Sequence, residues 1–249
     1  MRLRHQAAIR LAADLTGRGL SFGLAYLAQR VLGPADYGEL TYALAVGFVL
    51  ATLTDLGLQI TITREIAGQQ THADNVHLAN AGLTLKLLLS LPVTLALIAI
   101  SGSRSPAAQF GSLVVGLSLL LNSFVEYVGY TLRGWRRADL EAGWLLAMRA
   151  VTAIGGGAAL AAGAGWTGLT LAYGGSAVLL LAGSFLWLKM RSDRFFAPRL
   201  SLDGGLQRRL LRAALPLGGA IVISIAYTRT AVLMLDVLTS PDQVGVYGV

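Results

Sequence analysis

The chain has 249 residues, of which 55% are hydrophobic and only 13% are charged. A soluble domain typically carries about 25% charged residues, so this composition excludes an ordinary soluble protein. There is no cysteine, which excludes disulfides, thiolate metal sites and thiol catalysis. The formal net charge is +7, but the basic residues lie between apolar stretches, where membrane proteins carry them. We therefore expect no nucleic-acid partner.

Seven apolar stretches of about 20 residues follow one another along the chain. Each is long enough, at about 1.5 Å per residue, to cross a hydrocarbon core about 30 Å thick. Backbone groups in lipid must pair within their own segment, so these stretches are predicted to be helices and the chain an all-α membrane bundle. In chain order, the predicted spans are 11–33, 40–63, 78–101, 109–132, 142–164, 166–190 and 210–236.

Basic residues are concentrated on alternate connections between the predicted spans. One side holds only Arg30 and Arg104, together with Asp36 and Glu39. The positive-inside rule places the other side in the cytoplasm, with the N-terminus, in a multi-pass protein of the inner (cytoplasmic) membrane. The predicted cytoplasmic residues are Arg2, Arg4, Arg10, Arg64, Arg133, Arg136, Arg137, Lys189, Arg191, Arg194, Arg199, Arg208, Arg209 and Arg212.

The longest connection, 191–209, is charged and is interpreted as a cytoplasmic linker. It separates an N-terminal six-helix lobe, 1–190, from the region 210–249. A long apolar helix followed by a Pro/Asp turn and a Tyr/Gly segment occurs at 30–38 and again at 238–247, roughly 207 residues later. Duplicated lobes are typical of transporters. We therefore interpret 210–249 as the first helix of a truncated second lobe.

The residues after the first span carry a family resemblance. Residues 29–38, with the sequence QRVLGPADYG, resemble the R-x-L-G-P-x-x-Y-G signature of the polysaccharide biosynthesis family of Wzx-type flippases for O-antigen and other lipid-linked oligosaccharides. This family belongs to the multidrug/oligosaccharidyl-lipid/polysaccharide exporter superfamily. Further matches occur in family order: Asp55-Leu56-Gly57-Leu58 with Arg64-Glu65, Leu132-Arg133-Gly134-Trp135 and Val244-Gly245-Val246-Tyr247.

The resemblance implies a fold like that of MATE transporters, a lobe of six helices plus the first helix of a second lobe. It also implies a function: export of polyprenyl-pyrophosphate-linked oligosaccharide for cell-surface polysaccharide. The implied partners are the lipid-linked oligosaccharide, membrane lipids, and a polysaccharide polymerase or glycosyltransferases.

Polar residues inside three predicted spans fall on one face of each helix. Asp14 and Arg18 lie on the first span, Asp55 on the second, and Asn122 and Glu126 on the fourth. An ionisable side chain at mid-bilayer costs about 2.5–3.5 kcal/mol, so each needs a reason to be there. Three polar stripes cannot all face lipid, and we expect them to line a shared hydrated cavity.

Three cations lie at a similar depth. Arg18, Lys86 and Arg149 are each about seven or eight residues from the predicted cytoplasmic end of their span, or about 10–12 Å. A lipid-linked sugar carries its pyrophosphate near this depth, and guanidinium groups suit phosphate oxygens. We hypothesise that Arg18 and Arg149 bind the pyrophosphate, with Lys86 as a further candidate. Arg229, near the other end of the seventh span, is a candidate to line the cavity from the second lobe.

Other roles for these charged residues stay open. Asp14 and Arg18 are four residues apart and can neutralise each other within one helix. Lys86 and Arg149 can extend their side chains to the interface. The carboxylates of the second and fourth spans are candidates for coupling transport to protons or sodium, or for a role in helix packing alone.

Motifs for enzyme chemistry are weak or lacking. Residues 19–23, GLSFG, match the G-x-S-x-G hydrolase pattern, but that chemistry needs a strand–turn–helix elbow. No phosphate-binding G-x-x-x-x-G-K-[ST] loop occurs, so we expect a secondary transporter without catalytic activity or cofactor. The alternatives are a multidrug exporter of the same superfamily, a membrane glycosyltransferase or polymerase, and a non-catalytic scaffold for envelope polysaccharide assembly.

Overall fold

The computed structural model describes residues 2–69, 71–238 and 243–244, with the side chains of all but 2–7, 107 and 237. This part of the chain contains helices and no strand, which confirms the predicted all-α class. The second copy of the Pro/Asp turn, at 238–247, lies mostly outside the described residues. The helices are α1 (Arg2–Asp55), α2 (Leu58–Gly68), α3 (His72–Ser101), α4 (Pro106–Gly134), α5 (Ala138–Ala161), α6 (Gly165–Met190) and α7 (Gly204–Leu238).

Six helical stretches of the described chain are long and apolar enough to cross a membrane. The first of them, Ala8–Gly68, has 61 residues and includes the first two predicted spans. It is broken at Gly33, whose φ of 78° and ψ of 173° are non-helical and suit glycine. The helix resumes at Pro34. Proline is well suited to the first position of a helix, because the N–H that it lacks would have no partner there. The chain therefore turns at Gly33, and the predicted connection between the spans, at 34–39, is helical.

The part of α1 before the break, which we call the first arm (2–32), runs parallel to α5. Near its start, Asp14 accepts a hydrogen bond of 2.9 Å from Arg149. Ten residues later, Leu24 packs against Gly156, where an added Cβ would approach its side chain to 2.9 Å. Contacts thus advance in the same direction along both helices.

The part after the break, which we call the second arm (34–55), runs with α2 parallel to α4. The Thr54 hydroxyl lies 3.4 Å from that of Ser123, and Thr63 donates to the carbonyl of Tyr130 over 2.9 Å. A tight turn joins α4 to α5, and these helices run in opposite directions. The two arms of α1 therefore also run in opposite directions, as the predicted first and second spans require.

One end of the bundle, which we call the basic end, holds the end of α2, the start of α3 and the connections 135–137 and 191–203. An aromatic cluster closes it. The Trp135 ring stacks on Phe196 at a centroid distance of 5.7 Å and meets Phe195 edge-on at 5.8 Å. Trp187 stacks on the other side of Phe195 at 5.4 Å. Both phenylalanines are buried, so the predicted linker is anchored in the core.

Beyond this cluster the linker runs extended along α3. The backbone N–H of Arg199 donates to the Asn80 side-chain oxygen over 2.8 Å, and the N–H of Ser201 donates to the Thr84 hydroxyl over 2.9 Å. Asn80 and Thr84 are one helical turn apart, and both are buried. They therefore pair backbone donors of a segment that has no secondary structure of its own.

The linker ends earlier than the sequence predicts. Helix α7 begins at Gly204 instead of 210, because Asp203 accepts from the Leu206 backbone N–H over 3.0 Å and caps the helix. The Asp203 carboxylate also lies 3.1 Å from the His77 ring. The Leu206 N–H and then His77 hold the pKa of Asp203 below its usual range.

Helix α7 crosses the bundle where α1 gives way to α2. Gly57, with φ of 78°, lies so close to α7 that an added Cβ would be 2.7 Å from the backbone nitrogen of Gly218. A Cβ on Gly218 would in turn collide with the carbonyl of Leu56. Only glycine at both positions permits this backbone contact.

Gly218→Ala is expected to lower the free energy of unfolding by about 1–3 kcal/mol, since the methyl group must displace backbone. Gly219→Ala is the matched control, because nothing lies within 4 Å of its added Cβ; it should be neutral or stabilise by up to about 1 kcal/mol. Unfolding titrations in sodium dodecyl sulfate measure both. Equal effects of the two variants would contradict this crossing.

Candidate functional site

Two adjoining cavities, of about 670 and 610 Å³, lie between α1, α4 and α5. Arg18, Glu126 and Arg149 belong to the walls of both. We call the larger the basic cavity, because it opens at the basic end, and the other the central cavity. The basic cavity is lined by Arg10, Leu11, Ala13, Asp14, Arg18, Glu126, Tyr130, Arg133, Ala138, Ala142, Leu145 and Arg149. The polar residues of the central cavity include Arg18, Ser21, Thr52, Asp55, Asn122, Ser123, Glu126, Arg149, Thr152 and Tyr173.

The carboxylate of Asp14 bridges two arginines in these walls. Its Oδ2 accepts from Arg18 Nε over 2.9 Å, and its Oδ1 accepts from Arg149 Nη1 over 2.9 Å. Arg149 also donates to the Asp14 carbonyl over 3.2 Å. The in-helix pair of Asp14 and Arg18 is thus present, but one carboxylate serves two guanidinium groups. The group of three carries a net charge of +1 and keeps several N–H donors available.

Two further arginines, Arg10 and Arg133, line the basic cavity although the sequence interpretation treats them only as markers of orientation. Arg133 donates twice to Glu141, once from Nε over 2.6 Å, and its guanidinium lies 4.4 Å above the Tyr130 ring. Arg10 lies 3.9 Å from the same carboxylate. Glu141 is fully buried and holds both arginines at the cavity wall. The sequence pattern that indicates this arrangement is a glutamate early in α5, just after an arginine-rich turn.

The basic cavity therefore has a positive wall. Four arginines and two carboxylates line it. Fixed cations in a confined, partly apolar space attract anions more strongly than the same charges in open water. The arrangement suits an anion with several oxygens, such as a phosphate or pyrophosphate group.

Lys86 does not join these arginines. Its side chain is fully buried and forms an ion pair with Asp55, with a hydrogen bond of 3.3 Å to the Thr54 hydroxyl. Its ammonium nitrogen lies 5.1 Å from the centre of the Phe124 ring. Lys86 is in the wall of neither the basic nor the central cavity, whereas Asp55 lines the central one.

Two polar groups of α4, Glu126 and Asn122, face the central cavity, and Glu126 forms no ion pair with any described residue. Glu126 accepts a long hydrogen bond of 3.5 Å from the Gln59 side chain. The Oδ1 atom of Asn122 is buried and has no hydrogen-bond partner within the described part of the chain. A buried acceptor without a donor is costly, which marks this wall as a place for a ligand or water.

Arg229 is not among the described residues that line the central cavity, but it contacts one of them. Its guanidinium is 4.9 Å above the Phe48 ring, and Phe48 is part of the cavity wall, as is Ile225 of α7. Helix α7 thus closes one side of the cavity, with Arg229 behind an aromatic ring.

At the end opposite the basic end, Arg104 connects α1 to α7. Its guanidinium donates to both oxygens of Glu39 over 3.2 Å, forms an ion pair with Asp236, and lies 3.6 Å above the Tyr42 ring. Ala45, about one turn after Tyr42 on α1, is fully buried in a cluster that includes residues of α7. This network closes the bundle at that end.

Arg104→Ala is expected to loosen the contact between α7 and α1, because it leaves Glu39 and Asp236 without a cation. The substitution Ala45→Cys introduces a single reactive thiol, because the chain has no cysteine. The rate at which maleimide labels this thiol should be about tenfold or more higher in Arg104→Ala, which is the effect expected from the loss of a charge-assisted hydrogen bond. Arg30→Ala is the control, since that arginine is exposed and lies on Tyr26. Unchanged labelling in Arg104→Ala would show that other contacts hold α7 in place.

Comparisons with known proteins bear on the fold and the family. A family model described as "Polysaccharide biosynthesis protein" matches residues 3–249. A search of curated proteins finds no match.

Solved MATE structures share the fold. The structure of a MATE in complex with Br-NRF is 20% identical, with a TM-score of 0.54, and the match covers 90% of this chain and 53% of that one. An outward-facing multidrug resistance MATE family transporter of the MOP superfamily is 19% identical, with a TM-score of 0.52, and the match covers 86% and 49%. The chain thus spans about half the length of these structures. The similarity confirms the predicted MATE-like architecture.

Proposed function

Because this chain belongs to the polysaccharide biosynthesis protein family, we propose that it is part of a secondary transporter for polyprenyl-pyrophosphate-linked oligosaccharide. The observation that carries the proposal is the basic cavity, where Asp14 bridges Arg18 and Arg149 and two more arginines complete the wall. An anionic headgroup is the ligand that this charge pattern favours. The proposed transporter has no catalytic role and no cofactor.

The pyrophosphate would bind between Arg18 and Arg149. The Arg18 side chain is 73% exposed and engages Asp14 only through Nε, so its terminal N–H groups are available to phosphate oxygens. Arg149 is fixed by Asp14 and keeps its Nη2 group available. Two guanidinium groups oriented beforehand by one carboxylate lose little conformational entropy when they bind a ligand.

The orientation follows from where such a substrate is made. A lipid-linked oligosaccharide is exported from the cytoplasmic leaflet, so the basic end would face the cytoplasm, as the positive-inside rule predicts. In this arrangement 1–190 is the N-terminal lobe of a transporter in the cytoplasmic membrane, 191–203 the linker, and α7 the first helix of a second lobe. Glycosyltransferases and a polysaccharide polymerase would act before and after it.

Glu126 is the best candidate for coupling transport to an ion gradient. It lies in the wall shared by the two cavities, and its hydrogen bond to Gln59 is long. Asp55 is already neutralised by Lys86, which favours a role in packing. The charge of Glu126 acts on a phosphate bound at the neighbouring arginines, so binding of a proton or sodium ion to Glu126 and binding of the substrate influence each other. Asn122 would contribute its unpaired oxygen to the same wall.

The direct test is transport by the full-length protein reconstituted in vesicles. A fluorescent polyprenyl-pyrophosphate-linked sugar should move between leaflets faster than in empty vesicles, and inorganic pyrophosphate should compete at the basic end. A cationic fluorescent drug is the contrasting substrate. Movement of the drug alone would overturn the proposal in favour of a multidrug exporter, and movement of neither would favour a scaffold.

A further inference from the structure

A third cavity, of about 350 Å³, lies on the side of α4 that faces away from the basic and central cavities. Its floor is Phe124, and its walls include Leu83 and Leu87 of α3 and Phe185 of α6. Phe124 and Glu126 are two positions apart, about 200° around the helix, so they face opposite sides of α4. We call this cavity the leucine groove.

The leucine groove opens toward the lipid and not toward the interior of the bundle. Leu87 is 42% exposed, and Leu91, one turn further along α3, is 58% exposed. Leu87 lies nine residues inside the predicted span boundary at 78, or about 13 Å. This is about half of a 30 Å hydrocarbon core. The groove therefore extends from the membrane surface at the basic end to about the middle of the bilayer, the depth of one leaflet.

A cation lies at the surface end of the groove. Arg199 is part of its wall, and its backbone is fixed by the hydrogen bond to Asn80. Its side chain is exposed, and no ion pair to it is formed by any residue that the structure describes. Leu200, next in the chain, also lines the groove and is 70% exposed. No acidic residue belongs to this wall.

We propose that the leucine groove binds one anionic phospholipid, with an acyl chain along Leu83 and Leu87 and its phosphate at Arg199. An apolar channel one leaflet deep with a cation at the headgroup level is complementary in shape and charge to such a lipid. The bound lipid would hold the linker against α3 at the basic end. The inference does not depend on what the basic cavity transports, because the two sites lie on opposite faces of α4.

Native mass spectrometry of the purified full-length protein tests the proposal. After delipidation, phosphatidylglycerol should bind about fivefold more tightly than phosphatidylcholine with the same acyl chains, the effect expected of one basic residue near an anionic headgroup. Arg199→Gln, at an exposed position, should remove this preference. Equal binding of the two lipids by the unmodified protein, or an unchanged preference in Arg199→Gln, would overturn the assignment.

A pair of tryptophan variants tests the groove itself. Leu87→Trp fills it and should abolish the retained phosphatidylglycerol, whereas Leu91→Trp adds the same side chain on the lipid-facing surface of α3 and should retain it. Equal retention by both variants would exclude the groove as the site. Displacement of phosphatidylglycerol by a polyprenyl phosphate would instead assign the groove to a polyprenyl chain and overturn the proposal.

Discussion

Replacing Arg18 by glutamate should abolish export of the lipid-linked oligosaccharide while the protein remains in the membrane. A carboxylate at this position repels the pyrophosphate and also faces Asp14, and the net charge of the basic cavity falls by two. Loss of a charge-assisted hydrogen bond alone costs about 1.5–3 kcal/mol, or about tenfold to a hundredfold in affinity, and the repulsion adds to it. The measurement is surface polysaccharide in cells whose only copy of the gene carries the substitution, with the protein level determined in parallel.

A neutral pair separates substrate binding from a purely structural role. If Arg18 only neutralises Asp14, then Asp14→Asn combined with Arg18→Gln keeps the net charge of the group of three at +1, carried by Arg149, and export should return. If Arg18 binds the pyrophosphate, the double variant should stay inactive although it folds. Arg30→Glu, the same charge reversal on the same helix outside both cavities, should export normally. Recovery of export in the double variant would disprove the role proposed for Arg18.

Lys86→Met should destabilise the protein by about 3–5 kcal/mol, the usual cost of removing one member of a buried ion pair. The Lys86 side chain is fully buried, and Asp55 is its ion-pair partner. The remaining carboxylate would be left without its cation at the wall of the central cavity. Unfolding in sodium dodecyl sulfate measures the loss.

The companion variant, Lys86→Met with Asp55→Leu, should recover most of that stability, because well-packed apolar residues often replace a buried pair without loss. Substrate affinity of the Lys86→Met protein that remains folded should be close to that of the unmodified protein. A large loss of affinity without loss of stability would return Lys86 to the substrate site, as the sequence alone suggests.

The break beside Asp55 shows how far a motif can be interpreted without coordinates. The sequence identifies Asp55-Leu56-Gly57-Leu58 as a family resemblance, and the match of the family model confirms the family. The motif by itself does not explain why a glycine occupies position 57. The structure shows that Gly57 adopts a left-handed conformation and admits the backbone of α7 at Gly218. The partner glycine is more than 150 positions away, so no local pattern connects the two.

The sequence by itself determines that the chain lies in a membrane, which segments cross it, and which face of each helix is polar. These properties follow from composition, length and a helical period of 3.6 residues, all of which are local. The face bearing Asp14 and Arg18, and the one bearing Asn122 and Glu126, were predictable for this reason, and both now line the same cavities.

Only the tertiary structure decides which charges neutralise each other. Lys86 and Arg149 lie at a similar depth in the sequence-based topology, yet one is buried against Asp55 and the other faces a cavity beside Asp14. A helical period gives the direction of a side chain from its own axis, but not the identity of the helix packed against it. Since the energy of a charge in a low-dielectric interior depends on that neighbour, packing fixed which cations remained available for a ligand.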